Sequence, residues 1–453
     1  MSANFSQYFQ SLVGKRIVVL GLGVSNRPLV RLLLSYGCDV TGCDRTPREK
    51  LDNEVLELEE AGCHLRLGDT YLDDLTADIV FRTPGMHPAN PALLDLAANG
   101  AIVTSEMEVF FELCPCKMIA VTGSDGKTTT TTLIAELLKA AGKNVWLGGN
   151  IGTPLLPVCD QIQPDDIAVV ELSSFQLMDM KHSAHIAVVT NLAPNHLDVH
   201  KDMDEYVRAK MNIFQYQSPC DKLIINADND ITAAFTGCGV TKRFSRKSQA
   251  DICLDGTTIV RNGKPLFDKQ DILLPGEHNV ENYLAAILAV EGFVEDSVIH
   301  HVAKTFGGVE HRIELVRVKD GVRFYNDSIA SSPSRTIAGL RSFSEEVLLI
   351  AGGYDKHIPY DVLGPEICKH AKKVYVNGAT AALIRAAVEN APQYIPGHPE
   401  VIDCDDFKDA VMRCAADAKS GDVVLMSPAS AAFDQFKNFM ERGKYFKKLV
   451  LEL

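Results

Sequence analysis

The stretch Ala120-Val121-Thr122-Gly123-Ser124-Asp125-Gly126-Lys127-Thr128-Thr129-Thr130 decides how the rest of the chain is interpreted. The apolar run at 118–121 predicts a buried strand, and apolar side chains at helical spacing in 133–139 predict a helix. A glycine-containing loop between a strand and a helix can bind phosphate, because backbone N–H groups and the helix N-terminus face the anion. The sequence therefore predicts a nucleotide site in this loop.

Two side chains of the loop have chemistry suited to a nucleotide. We expect Lys127 to reach the terminal phosphates and the Thr128 hydroxyl to hold a Mg²⁺ ion. The usual pattern has a glycine five residues before the Gly-Lys pair, where this chain has Val121. The alternative is a glycine-rich turn with an incidental lysine. We favour phosphate binding, because Gly-Lys-Thr-Thr opens a predicted helix directly after a buried strand.

Composition limits the class of protein. A chain of 453 residues is too long for one ordinary core, so we expect two to four domains. The formal charge of −14 argues against a nucleic-acid partner. The twelve cysteines show no metal-binding spacing, which favours unpaired thiols in a reducing cytoplasm. Without a secretory signal or a long apolar span, we expect a cytoplasmic protein with no membrane insertion.

The N-terminal region has a second glycine-containing turn. An apolar run at 17–20 leads into Gly21-Leu22-Gly23, and Asp44 follows the next predicted strand. This resembles a dinucleotide-binding fingerprint, except that Asn26 replaces the third glycine. The turn could hold a nicotinamide dinucleotide, or the diphosphate and ribose of another nucleotide, or be purely structural. A later strand runs into a Thr-Pro-Gly loop at 83–85, where ligands of open α/β sheets bind.

Strands and helices alternate along the whole chain. Uniformly apolar strands at 167–171 and 186–190 indicate a parallel sheet covered on both faces, with a small antiparallel excursion within 251–275. The alternation restarts near residue 310. We therefore predict an α/β protein of three domains in series, at residues 1–105, 106–309 and 310–453. The first and third are Rossmann-like, and the central one is a P-loop ATPase-like parallel sheet.

Two residues of the central unit, Glu171 and His196, could serve the nucleotide. Glu171 ends an apolar strand, where a Mg²⁺ ligand or a water-orienting carboxylate belongs; the alternative is an acidic helix N-terminus. His196 lies beside Asp198 in a loop expected at the same sheet edge, so a metal contact is credible. Composition alone describes Lys210, on the helix that follows, as a solvated lysine.

The third unit supplies further polar residues. Arg312 and Asp327 could clamp a nucleotide, the first by charge and the second through ribose or metal; a surface ion pair is the alternative for both. Lys356, in the loop after a strand that ends in Gly352-Gly353, is well placed for an anionic substrate.

Several motifs together resemble one family, the Mur ligases of cell-wall precursor synthesis. They are Thr122–Thr129, Glu171-Leu172-Ser173-Ser174-Phe175-Gln176, His196, Gly276-Glu277-His278-Asn279 with Asn282, Glu310-His311-Arg312 and Asn326-Asp327-Ser328. Their order and spread cover nearly the whole chain. The turn at 21–25, the Gly352-Gly353 pair with Lys356, and Ser427-Pro428-Ala429 leading to Asp434–Phe439 resemble the branch that adds D-glutamate to UDP-N-acetylmuramoyl-L-alanine.

The resemblance implies an activity and a binding domain for each substrate. It implies an ATP-dependent ligase that forms an amide through an acyl phosphate in peptidoglycan synthesis. The three domains would bind the UDP-sugar, ATP and the amino acid, in chain order. The short Gly-x-x-Gly-Lys-Thr loop is the form this family uses, which accounts for Val121.

The resemblance also implies roles for individual positions. The expected catalytic residues are Lys127, Glu171, His196 and Lys210. ATP would be bound by Gly123, Ser124, Asp125, Gly126, Lys127, Thr128, Thr129, Thr130, Asn279, Arg312 and Asp327. Two Mg²⁺ ions would be held by Thr128, Glu171, His196 and a Lys210 that carries a CO₂-derived carbamate. The UDP-substrate would be bound by Gly23, Val24, Ser25, Asp44, Arg45, Thr83, Pro84, Gly85, Asn150, Ser173 and Gln176, and D-glutamate by Lys356, Ala432 and Phe439.

The chain departs from the family pattern at three positions, of which the first two could weaken or reroute amino-acid contacts and the third could change how His196 is oriented. The family often has lysine where this chain has Ile329, serine where it has Ala432, and aspartate where it has Asn195. The rivals are another muramyl ligase, a folate polyglutamate ligase, a nicotinamide-dependent dehydrogenase built on residues 17–44, and a regulatory nucleotide-binding module. We expect a monomer.

Overall fold

The computed structural model describes residues 2–196 and 199–453, which form three β-sheets with flanking helices. Contacts divide the chain into two compact units. One unit runs up to Lys269 and includes Glu281–Val302; it contains the first two sheets. The other consists of Gln270–Val280 and Ala303–Leu453 and contains the third sheet. The predicted domain limits at 105/106 and 309/310 stay predictions.

The first sheet is parallel throughout. Its strands are β1 (Arg16–Leu20), β2 (Asp39–Asp44), β3 (His64–Leu67), β4 (Ile79–Phe81) and β5 (Ile102–Thr104), in the order β3-β2-β1-β4-β5. Its helices are α1 (Ser2–Ser11), α2 (Asn26–Ser35), α3 (Asn53–Glu60), α4 (Pro91–Ala98) and α5 (Glu106–Leu113). The strand order reverses between β1 and β4, and ligands of such sheets bind beyond the strand ends at that point.

The central sheet has nine strands. They are β6 (Lys117–Thr122), β7 (Val145–Gly149), β8 (Ile167–Glu171), β9 (Ile186–Val189), β10 (Lys222–Asn226), β11 (Val240–Ser245), β12 (Ile252–Asp255), β13 (Thr258–Arg261) and β14 (Lys264–Asp268). Their order is β14-β13-β12-β11-β10-β9-β6-β8-β7. Strand β13 pairs antiparallel with both β12 and β14, which confirms the predicted excursion, and the other pairs are parallel. The helices are α6 (Lys127–Ala140), α7 (Ser174–Leu177), α8 (Met203–Gln215), α9 (Asp230–Ala233), α10 (Glu277–Ala289) and α11 (Asp296–Thr305).

Strand β6 lies between β8 and β9, and all three are buried along nearly their whole length. Their apolar side chains face helices on both sides, as expected of a parallel sheet covered on both faces. The polar loops that follow the three strands therefore emerge side by side at one edge.

The third sheet is mixed. Its strands are β15 (Glu314–Lys319), β16 (Val322–Asn326), β17 (Val347–Gly352), β18 (Ala371–Asn377), β19 (Glu400–Asp403) and β20 (Val423–Met426), in the order β15-β16-β20-β17-β18-β19. Only β15 is antiparallel to its neighbour. The helices are α12 (Pro333–Leu340), α13 (Gly364–His370), α14 (Ala381–Glu389), α15 (Phe407–Asp417) and α16 (Phe439–Glu452).

The predicted class, an α/β protein with three sheets in series, is confirmed. The central sheet is parallel over seven strands and ends in the antiparallel pair. In the described part of the chain, no helix combines the length and the apolar character needed to cross a membrane.

Candidate active site

The loop after β6 can be built only with glycine at two positions. Gly123 has φ +148° and Gly126 has φ +76°. A Cβ atom at Gly123 would lie 1.9 Å from Thr190 Oγ1, and one at Gly126 would lie 2.4 Å from Asn282 Oδ1. Val121 pairs with Glu171 and Val188 inside the sheet, so the position of the missing glycine belongs to the strand. The loop is thus a short one that begins at Gly123.

The side chains of this loop fold back on its backbone. Lys127 Nζ donates to the carbonyl oxygens of Gly123 at 3.0 Å and Ser124 at 2.8 Å, which places the ammonium directly beside the loop. Ser124 Oγ contacts Tyr206 OH at 2.9 Å. Thr128 and Thr129 are half-buried, and the buried Thr130 donates from Oγ1 to Asn282 at 3.2 Å. The arrangement presents a cation and a helix N-terminus to one small volume, as phosphate binding requires.

Glu171 lies beside this loop with one oxygen unused. It is the last residue of β8 and is 1 % exposed. Its Oε1 accepts from Asn150 Nδ2 at 2.7 Å, whereas its buried Oε2 has no hydrogen-bond partner among the described residues. A buried carboxylate oxygen without a partner is costly and calls for a cation or a donor. This geometry fits the predicted metal role better than a helix-capping one.

Lys210 lies in the same region, on α8, and is only 2 % exposed. Its Nζ donates to Thr122 Oγ1 at 3.1 Å and lies 4.9 Å from the centre of the Tyr206 ring. Burial, and then the charge of Lys127, hold the pKa of Lys210 well below its usual value, although Glu171 and Asp125 act in the opposite direction. The interpretation from composition, a solvated helix lysine, is therefore wrong.

His196 reaches the site edge by a strained turn. It has φ +55°, is exposed, and packs edge-on against the Phe175 ring with centroids 5.0 Å apart. Its carbonyl oxygen accepts from the backbone of Val199 at 3.1 Å and His200 at 3.0 Å. Asp198, which the sequence placed beside His196, lies outside the described residues. Across 2–196 and 199–453, no preformed cluster of three His, Cys, Asp or Glu ligands occurs.

His200, which the sequence did not single out, is buried, and it contacts the same Phe175 ring as His196. Its ring stacks on Phe175 at 5.5 Å, and its Nε2 lies 2.9 Å from Ser174 Oγ. Burial lowers the pKa of His200, and Glu205 opposes this shift. The only sequence signal was its position four residues after His196.

The two predicted UDP-substrate loops of the first sheet meet where its strand order reverses. A Cβ atom at Gly21 would lie 2.9 Å from Thr83 Cβ, so the loops after β1 and β4 touch. The buried Asn26 donates from Nδ2 to Leu20 O at 3.1 Å and Gly21 O at 2.9 Å, which explains its presence in place of glycine. Gly23, Val24, Ser25, Arg45 and Gly85 are exposed around these loops, with Thr83 and Pro84 half-buried.

Asp44 stabilises the first of these loops from β2. Its carboxylate accepts from the backbone N–H groups of Leu22 at 2.7 Å and Thr46 at 2.8 Å. Burial alone would raise the pKa of Asp44, but these two hydrogen bonds, the Thr46 side chain and the charge of Arg27 together hold the pKa below its usual value. A carboxylate held in place by backbone N–H donors at this point can also accept a hydrogen bond from a ribose hydroxyl.

Three other residues predicted for the UDP-substrate are already engaged within the central sheet. Ser173 and Gln176 form a capping box at the start of α7, and Asn150 donates to Glu171. These contacts hold the three side chains in place, and their role towards the UDP-substrate stays a prediction.

The second unit holds the remaining predicted nucleotide residues. Asp327 follows β16 and is buried; its Oδ2 accepts from Ser427 Oγ at 2.7 Å, and burial raises its pKa to about 7 despite this bond. Arg312 is exposed. Asn279 belongs to this unit, and its Nδ2 donates to Pro275 O at 2.6 Å.

The residues predicted for D-glutamate lie on neighbouring loops of the third sheet. Tyr354 N donates to Ala431 O at 2.9 Å, which joins the loop of the exposed Lys356 to the buried Ala432. Phe439 begins α16, and its carbonyl oxygen accepts from Ser328 Oγ at 2.7 Å. With alanine at 432, this position can offer a ligand only backbone groups.

Family models match two parts of the chain. Residues 121–290 match the Mur ligase middle domain, and residues 311–430 match the Mur ligase glutamate ligase domain. A relative from Acetivibrio thermocellus is 49 % identical over 461 residues, covering 99 % of each chain. The chain belongs to the Mur ligase family, and membership implies ATP as the phosphoryl donor.

The named relatives are all of one kind. The Acetivibrio protein is a UDP-N-acetylmuramoylalanine–D-glutamate ligase, as is a protein from Ruminiclostridium cellulolyticum that is 47 % identical over the whole of both chains. Among solved structures, the UDP-N-acetylmuramate–alanine ligase from Thermotoga maritima aligns with TM-score 0.58 at 18 % identity, over 97 % of this chain and 99 % of the other. At that identity the structural likeness shows the fold alone.

Proposed function

We propose that this protein joins D-glutamate to UDP-N-acetylmuramoyl-L-alanine, using ATP, as a step of peptidoglycan precursor synthesis in the cytoplasm. The observation that carries the proposal is the 49 % identity to a D-glutamate ligase over 99 % of both chains. The Ruminiclostridium relative, 47 % identical over the whole of both chains, is a D-glutamate ligase as well.

The reaction activates a carboxylate that otherwise resists nucleophilic attack. An oxygen of the alanine carboxylate attacks the γ-phosphorus of ATP, ADP leaves, and an acyl phosphate forms. The amine of D-glutamate then attacks the acyl carbon, inorganic phosphate leaves, and the amine nitrogen loses its proton. The ammonium of Lys127, which lies against the backbone of Gly123 and Ser124, and the N-terminus of α6 would stabilise the charge that develops on the transferring phosphoryl group.

The residues present fit a divalent cation at Glu171. Its unpartnered, buried Oε2 is a hard oxygen ligand, and a Mg²⁺ site needs only one or two protein carboxylates beside substrate phosphates. Glu171, Thr128, His196 and a carbamate on Lys210 would hold two Mg²⁺ ions. When bound, these ions would neutralise phosphate charge.

The environment of Lys210 favours its reaction with CO₂. Carbamate formation joins the amine nitrogen to the carbon of CO₂ and releases one proton, so it requires the neutral amine. Burial lowers the pKa of Lys210 and thereby raises the neutral fraction near pH 7. The product would replace a cationic group with an anionic oxygen ligand in contact range of Thr122.

The other site assignments follow the two units. We assign the UDP-substrate to the paired loops after β1 and β4 and to five further residues: Asp44, Arg45, Asn150, Ser173 and Gln176. We assign the nucleotide to the loop at 123–130 with Asn279, Arg312 and Asp327. We assign D-glutamate to Lys356, Ala432 and Phe439. We keep the domain limits 1–105, 106–309 and 310–453, and a monomeric state, as parts of the proposal.

Phosphate release tests the proposal. Purified protein is given ATP, Mg²⁺ and UDP-N-acetylmuramoyl-L-alanine with one amino acid at a time: D-glutamate, L-glutamate, D-aspartate, L-alanine or meso-diaminopimelate. We expect release to depend on D-glutamate and on the acceptor. Release with a different amino acid would assign the protein to another ligase, and ATP binding without release would indicate a regulatory module.

A further inference from the structure

The guanidinium of Arg82 connects the loop after β4 in the first sheet to the turn around α7 in the central sheet. Arg82 follows β4 directly, and its side chain has no exposed surface. Its Nη1 donates to the carbonyl oxygens of Met86 at 2.7 Å and Thr83 at 3.1 Å. These bonds fix the shape of the 83–86 loop, which carries part of the proposed UDP-substrate site.

The other side of the same guanidinium binds the turn around α7. Nη2 donates to Phe175 O at 3.2 Å and to Asp179 Oδ1, and Nε donates to Asp179 Oδ2 at 3.0 Å. All five N–H donors of the guanidinium are therefore used, with the two loops on opposite edges of its plane. Phe175 in turn packs against His196 and His200.

A planar, five-donor group suits this task in a way that a lysine does not. The fork fixes both loops at one distance and orientation, whereas an ammonium on a flexible stem could satisfy the Asp179 carboxylate alone. The sequence offers no sign of this role, since Arg82 reads as one polar residue at the end of an apolar strand.

We propose that Arg82 is a positioning residue, which sets the distance between the acceptor-binding loop at 83–86 and the Phe175 turn that supports His196. This inference rests on the proposed function. By fixing both loops, Arg82 would hold the alanine carboxylate of the acceptor in line with the phosphoryl group. It does not touch the reacting atoms.

The variants Arg82→Met, Arg82→Lys and Asp179→Asn test the proposal by steady-state kinetics. We expect Arg82→Met to lower kcat about tenfold to hundredfold, since small displacements of reacting groups have effects of this size, and to raise KM for the UDP-substrate. KM for ATP should stay within about twofold, because Arg82 makes no contact with the loop at 123–130. Arg82→Lys should not restore kcat, and Asp179→Asn should fall between Arg82→Met and the wild type. Arg16→Met, which breaks an exposed ion pair with Asp78 on the same sheet, is the matched control.

Hydrogen exchange gives a readout that does not depend on activity. In Arg82→Met and Arg82→Lys, peptides covering 82–87 and 174–180 should gain exchange together, while peptides of β6 keep wild-type protection. Unchanged exchange in either peptide, full rescue of kcat by lysine, or equal changes in all three KM values would overturn the proposal. If Arg82→Met does not fold, Arg82→Lys and Asp179→Asn carry the same comparisons.

Discussion

Lys210 is the residue in which the conflict between stability and function is most visible. Its side chain is long and basic, yet it is buried and has one hydrogen bond, to Thr122. Burying an ionisable group costs free energy unless the group is neutral or fully partnered. A lysine kept at such a cost is best explained by chemistry that uses its nitrogen.

Replacing Lys210 with alanine should abolish most of the activity. We expect kcat to fall about hundredfold or more, because a preorganised charged ligand near the phosphoryl group is lost, with partial rescue by a short carboxylate such as acetate. Removal of CO₂ should lower wild-type activity in the same assay. Full activity of Lys210→Ala would show that the nitrogen has no role. Lys448→Met, with a side chain 66 % exposed, is the control.

Because the pKa of Lys210 is lowered in the native state, we expect the stability of the protein to depend on pH. The native pKa of Lys210 lies below the ordinary 10.5, so between the two values the unfolded chain binds more protons and the wild-type free energy of unfolding rises with pH. In CO₂-free buffer, Lys210→Met should be more stable than the wild type near pH 7, and the difference should shrink towards pH 10. Urea unfolding across this range measures it, and a constant difference would mean that Lys210 is charged in the native state.

Among the structural elements, the turns after β1 and β6 differ in how much of their structure the sequence predicts. Both follow apolar strands, so both turns were predicted, and the short loop at 123–126 agrees with its motif. The role of Asn26 was not visible, because its two hydrogen bonds to Leu20 and Gly21 depend on backbone geometry. The side-chain amide of Asn26 binds the turn's carbonyl oxygens at a position where a dinucleotide-binding fingerprint has glycine.

The substitution Asn26→Gly, which restores the dinucleotide-binding fingerprint, should therefore lower the stability of the protein. Two carbonyl oxygens lose their buried donor, so we expect a loss of about 1–3 kcal/mol in the free energy of unfolding. The variant should gain no affinity for NAD. Urea unfolding and an NAD titration give both results, with Asn99→Gly, at an exposed helix end, for comparison. Unchanged stability would show that the amide is dispensable.

The features of the site that the sequence could not predict are mostly single polar residues that are buried in the fold. The strands of the central sheet were predictable because their apolar runs are continuous and the loops of β6, β8 and β9 share one edge. Lys210, His200 and Arg82 are each one polar residue in an ordinary pattern, and their burial depends on contacts with distant segments. The spacing of residues along the sequence does not indicate such contacts between distant segments.

At the scale of the molecule, each compact unit carries its own part of the predicted chemistry. The first holds the loops proposed for the UDP-substrate and the loop proposed for phosphate, with Glu171 and Lys210. The second holds Asp327 and the loops around Lys356. This distribution matches a reaction with three substrates. The family membership and the ATP-binding motif agree with it.

The step on which the mechanism depends is the activation of the acceptor carboxylate by ATP as an acyl phosphate. It is tested most directly with UDP-N-acetylmuramoyl-L-alanine whose alanine carboxylate carries oxygen-18, incubated with the protein, ATP and D-glutamate. Mass spectrometry of the released phosphate should find one labelled oxygen for each molecule of amide product, because the carboxylate oxygen that attacked ATP leaves with the phosphate. Amide product accompanied by unlabelled phosphate would contradict this mechanism.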